Sequence, residues 1–216
     1  MKTLAFALAY AASLAVPSVL YLIPLGGFTG AYSVSVVLGL AAFTIFANQF
    51  LLASRPAFLV SALGQKRLLT LHQTLPAVGL AAAVAHRTVK GMVGMDLESP
   101  QAALGGIALL VFFLAVLAAA FLMANTFWMR AGALKAARTA FQAKTGLTYK
   151  RMRAVHNVTV AAVVLVLVHA LLASSSDFAV NPTGAAWLVF WLVLCLGSYA
   201  RYRVSGRKSK PGSPAA

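Results

Sequence analysis

Long apolar runs alternate with short polar segments along the whole chain. A membrane-spanning helix needs about 20 mostly apolar residues, and six runs qualify: 4–23, 31–53, 68–89, 103–128, 152–173 and 185–202. The second and fourth have length to spare for tilt. The third is the least apolar, because it holds His72, Gln73, Pro76 and His86. Polar groups inside a span are costly and therefore need a reason. The pattern predicts an all-α polytopic membrane protein, a six-transmembrane-helix bundle over 1–203. A short basic tail over 204–216, rich in Gly, Ser, Pro and Lys, reads as disordered.

Composition agrees with this division. Apolar residues make up 61% and charged residues 10%, against about 25% charged in an ordinary soluble domain. The missing charge is what a lipid-facing surface requires. A net charge of +15 on a soluble chain would suggest nucleic acid, but here the basic residues avoid the apolar runs and gather between them. That distribution excludes nucleic acid as the partner and makes the lipid bilayer the partner instead.

The connections alternate in charge. Segments 24–30 and 174–184 contain no Lys or Arg, whereas 54–67 holds Arg55, Lys66 and Arg67, and 129–151 holds Arg130, Lys135, Arg138, Lys144, Lys150 and Arg151. Of the 18 basic residues, only Arg87 and Lys90 fall on the other side, where Asp96, Glu98 and Asp177 also lie. The positive-inside rule places both termini in the cytoplasm. The first run opens with Lys2, as a signal peptide would, but extends beyond the usual 7–15 apolar residues, so it reads as a retained helix. The single cysteine, Cys195, sits inside an apolar run and reads as a packing residue. The alanine runs at 81–83 and 118–120 read as small-residue helix contacts.

Chemistry concentrates in four histidines on two runs. His72 and His86 are 14 residues apart on the third, and His156 and His169 are 13 apart on the fifth. Both runs cross in the same direction, so His72 pairs in depth with His156, and His86 with His169. Two facing helices can supply one imidazole each to opposite faces of a haem. The pairs are offset by about 20 Å at 1.5 Å per residue, which puts one haem near each side of the membrane. Fourteen residues return within about 40° of the starting face, but thirteen end about 140° away, so the fifth helix needs local overwinding or a kink. A metal cluster would want its ligands together. A histidine-lined transporter or channel without haem stays open at this stage.

Several further residues belong to this picture. Arg87 and Arg153 are candidate partners for haem propionates. Arg87 is the more suggestive, because basic residues are otherwise scarce on its side. Gly79 would allow close approach of a porphyrin edge or of a neighbouring helix. Asn48 and Gln49 could bond a histidine ring N–H, or simply reflect interfacial polarity.

The stretches NQFLLASRP, LGQKRLLTLHQTLPAVGLAAAVAH and YKRMRAVHNVTVAAVVLVLVH resemble the ferric reductase-like transmembrane domain family, which includes NADPH oxidases and metalloreductases. The resemblance runs from about Asn48 to His169 and includes the 14 and 13 spacings. It implies two haem b cofactors, an inner one on His72 and His156 and an outer one on His86 and His169. Family members usually continue into FAD- and NADPH-binding domains, and this chain has no GxGxxG or other phosphate-binding turn. In that respect it is similar to small stand-alone bacterial members.

The resemblance therefore implies a multi-pass protein of a bacterial inner (cytoplasmic) membrane. It would be an oxidoreductase component passing electrons from a separate cytoplasmic flavoprotein reductase or quinol to an outer acceptor, with any flavin supplied by the partner. A haem subunit dedicated to a periplasmic oxidoreductase is the alternative expectation.

Overall fold

The computed structural model describes residues 2–123 and 131–205. The end of the fourth apolar run at 124–128, Arg130, and the tail from 206 with Arg207, Lys208 and Lys210 lie outside the described residues. Among the described residues the chain is all-helical, and six spans are long and apolar enough to cross a membrane. These are α1 (Lys2–Leu22), α2 (Ala31–Ser54), α3 (Ala57–Met92), α4 (Pro100–Leu122), the consecutive pair α6 (Tyr149–His156) and α7 (Val158–Leu171), and α8 (Pro182–Ser205). One further helix, α5 (Gly132–Thr145), lies in the connection before α6.

Helix α2 is the hub. In its most apolar stretch 67% of residues are buried, against 28% in α8 and 11% in each other span. The polar side chains Ser33, Ser35, Asn48 and Gln49 of α2 are buried against the other helices, where protein rather than lipid can meet them. Phe43, Phe46, Ala47 and Phe50 pack with Phe112 of α4, Ala162 and Val163 of α7, and Leu188, Leu192 and Cys195 of α8. Outward side chains such as Leu110, Phe113 and Leu117 of α4 and Val193 of α8 stay exposed, as a lipid-facing surface demands.

Polar side chains tie the outer helices to this hub. The Asn48 amide donates to Ser13 Oγ of α1 at 3.0 Å, and its carbonyl oxygen accepts from Trp191 Nε1 of α8 at 3.0 Å. Asn48 is therefore a buried three-helix junction and does not bond a histidine. At the other end of α1, the Tyr21 hydroxyl and Ser176 Oγ are 2.7 Å apart. Cys195 is fully buried in the core.

Three boundaries differ from the sequence reading. The third span begins at Ala57, because the chain turns at Arg55 (φ 46°) and Pro56 starts a new helix. Gly64, at φ 76° and ψ 156°, then breaks α3 before the membrane-spanning part, a conformation that glycine adopts at little cost. The segment 129–151 is not simply a loop. Its Ala-rich middle forms α5, ended by Gly146 at φ 62°. Finally, the fifth span is interrupted at Asn157, with consequences for the site.

Candidate histidine-pair site

The 14-residue spacing on α3 keeps His72 and His86 on one face, toward α7 and its α6 extension. The 13-residue spacing is accommodated by overwinding at Asn157. There Asn157 N–H bonds the Ala154 carbonyl and Val160 N–H bonds the Asn157 carbonyl, both three-residue steps. Such a turn advances faster than an α-helix and swings His156 toward the face of His169. The His156 carbonyl, deprived of Val160 N–H, accepts from Thr159 Oγ1 at 2.8 Å instead. The break is held from outside by the Tyr199 hydroxyl, which donates to Asn157 Oδ1 at 3.0 Å.

Two ring pairs result. The His72 and His156 centroids are 6.3 Å apart with planes at 83°, and those of His86 and His169 are 6.2 Å apart with planes at 85°. With a metal–nitrogen bond of about 2.0 Å and a ring radius of about 1.1 Å, two imidazoles on opposite sides of one metal put their centroids about 6.2 Å apart. Both pairs match that spacing. Among the described residues no group of three or more His, Cys, Asp or Glu converges. Among the described residues, a metal held between either pair would therefore meet no third His, Cys, Asp or Glu.

Each pair borders its own cavity. The cavity at His72 and His156, about 530 Å³, lies at the basic end, and Arg55, Arg153 and Arg203 are on its wall with Gln73, Pro76, Ala119 and Ala120. The cavity at His86 and His169, about 360 Å³, lies at the acidic end, with Arg87, Lys90 and Asp96. Both volumes fall in the range of ligand pockets. Arg87 and Arg153, the cations expected to meet haem propionates, each line one of the two cavities. The same role is open to Arg55, Arg203 and Lys90, which the sequence reading passed over. Phe46 and Phe112 stack with centroids 4.0 Å apart and border both cavities, so one aromatic pair forms the partition.

Hydrogen bonding at the two ends differs. His86 Nδ1 is 2.8 Å from the Ser35 carbonyl, and His169 Nδ1 is 2.7 Å from the Gln101 carbonyl. A carbonyl can only accept, so each Nδ1 is the protonated nitrogen and each Nε2 carries the lone pair that a metal needs. At the basic end neither His72 Nδ1 nor His156 Nδ1 has a partner, and neither has Gln49 Oε1. The Gln49 main chain approaches the His72 ring, a looser counterpart of the Ser35 and Gln101 carbonyl contacts. The Gln49 side chain donates its amide to the Ile45 carbonyl and borders the cavity.

Gly79 does not face a cavity. A Cβ there would meet Phe46 and Ile45 of α2 at 3.0 and 3.1 Å, so Gly79 serves helix packing. Sequence reasoning also missed Ser35, Gly39, Gln101 and Gly105, all beside the histidine rings. Comparison with known protein families, with characterised proteins and with solved structures finds no match to this chain.

Proposed function

We propose that this chain holds two haems b, one on His72 and His156 and one on His86 and His169, and conducts electrons across a bacterial cytoplasmic membrane. One observation carries the reading. Two imidazole pairs recur with ring centroids 6.3 and 6.2 Å apart, each beside its own cavity and, among the described residues, without a third His, Cys, Asp or Glu. Bound haem would supply a one-electron carrier at each pair. The motif resemblance to ferric reductase-like transmembrane domains supports the same assignment.

The chain's own residues do the rest. Arg55, Arg153 and Arg203 at one end, and Arg87 and Lys90 at the other, offer cations to carboxylate edges. Phe46 and Phe112 stack where the two cavities meet. The excess of basic residues at the end where α1 begins and α8 stops orients that end to the cytoplasm. Electrons are then taken up beside His72 and His156, from a separate flavoprotein or quinol, and leave beside His86 and His169 to an acceptor on the outer face.

Purified protein from haem-replete membranes tests this directly. Two haems b per chain and a sharp reduced α-band are expected. Because the ring planes in each pair are nearly perpendicular, the oxidised protein should give strongly anisotropic low-spin electron paramagnetic resonance signals. A colourless protein that binds no haem overturns the reading.

A further inference from the structure

The acidic-end pair is held by a device that occurs twice on unrelated helices. On α2, the Ser35 carbonyl accepts from His86 Nδ1 at 2.8 Å, and Ser35 Oγ lies 3.2 Å from the same nitrogen and donates to the His86 carbonyl at 3.4 Å. On α4, the Gln101 carbonyl accepts from His169 Nδ1 at 2.7 Å, and Gln101 Nε2 donates to the His169 carbonyl at 3.3 Å. In both cases one residue gives its carbonyl to the ring and its side chain to the main chain of the same histidine.

A glycine follows four residues later each time. A Cβ on Gly39 would lie 2.9 Å from His86 Nδ1, and one on Gly105 would lie 2.8 Å from His169 Cε1. Real Cβ atoms essentially never approach so closely, and an imidazole fixed at both ends cannot step aside cheaply. Both rings therefore lie flat in a notch that only glycine leaves open. On α2 the same register reaches the basic end. Gln49 follows Ser35 by 14 residues, as His86 follows His72, and the position one turn after Gln49 is Ala53 rather than glycine. There the ring nitrogen has no partner.

We infer that Ser35 with Gly39 and Gln101 with Gly105 are paired positioning clamps that make the outer histidine pair the more basic one, so that the two sites differ in reduction potential. This rests on the haem reading above. An imidazole whose Nδ1–H is donated to a carbonyl is a stronger base at Nε2 and favours the oxidised metal. The outer site therefore has the lower potential. The inner site lacks both clamps and has three arginines on its wall, which favour the reduced state. In the half-reduced protein the electron rests at the cytoplasmic end, and the outer site is the stronger reductant.

Redox titration followed by absorbance, together with paramagnetic resonance, tests this on the full-length protein. Two waves are expected in the wild type. Gly39→Ala and Gly105→Ala, which press on the rings, should each raise only the lower wave. A tenfold change in its reduced-to-oxidised ratio corresponds to about 59 mV for one electron. Their low-spin signals should change for one site only. Gly197→Ala, where a Cβ meets nothing within 4 Å, should change neither.

Ser35→Ala and Gln101→Leu delete one donor without adding bulk at the ring. They should shift the same wave by less, and they keep the idea testable if an alanine at 39 or 105 prevents folding. Waves unmoved in all four clamp variants, or both waves moved equally, would overturn the clamps while leaving the haem reading intact. Absence of any haem in the wild type would remove the reading and the clamps together.

Discussion

The two histidine pairs have almost the same ring geometry and very different support. At the acidic end, main-chain carbonyls of α2 and α4 fix both rings, and glycines make room for them. At the basic end neither ring has a hydrogen-bond partner at Nδ1, and the main chain around the histidines is irregular. Pro76 lies four residues after His72 and so takes away the N–H that its carbonyl would otherwise accept. His156 ends α6, and its carbonyl is served by Thr159. Equal ring spacing therefore does not mean equal support. The cavity beside the unsupported pair is the larger of the two, about 530 Å³ against 360 Å³.

The strongest way to break this comparison is to remove ligands. His72→Ala or His156→Ala should lose the inner haem and keep much of the outer. His86→Ala or His169→Ala should do the reverse, and the haem left in the His72→Ala protein should titrate at the lower potential. Haem stoichiometry per chain decides it. If all four variants retain two haems, the ligand assignment is wrong.

Next in size is Asn48→Leu, which belongs to neither site. It strands the Trp191 indole N–H inside the bundle, and leaving a buried polar group unsatisfied costs about 1–3 kcal/mol. Thermal unfolding should shift down while both haems remain. Selective loss of one haem would show that Asn48 supports that site after all.

Thr159→Val is smaller and one-sided. It leaves the His156 carbonyl without its hydroxyl partner, at a cost of about 1 kcal/mol. The spectrum of the inner haem should broaden or its occupancy fall, with the outer haem unchanged. A response at the outer haem would contradict the separateness of the two supports.

The least dramatic variant concerns the surface. Neutralising Lys135, Arg138 and Lys144 together should slow reduction of the inner haem by an acidic flavoprotein and flatten its dependence on ionic strength, because long-range steering is screened by salt. Haem content should not change. A rate and salt slope equal to the wild type would leave these charges with a topological role alone, and equal reduction by quinol would point to electron uptake from within the membrane.

Much of this was legible from the chain alone. Hydropathy determined the six spans, because the cost of unpaired polar groups in lipid acts on every residue locally. Spacing determined which histidines share a depth, because helical rise is fixed. The residues that hold those histidines were not legible. Ser35, Gly39, Gln101 and Gly105 look like ordinary small or polar residues near span ends, and their meaning depends on the register between two helices. No one-dimensional pattern carries that register. Asn48 was read as polarity at an interface and is a buried junction, since only packing reveals what lies on both sides of it. The overwinding at Asn157 was required by the 13-residue spacing, yet its location came from the tertiary structure, where Thr159 and Tyr199 supply the hydrogen bonds that make a broken turn affordable inside a membrane.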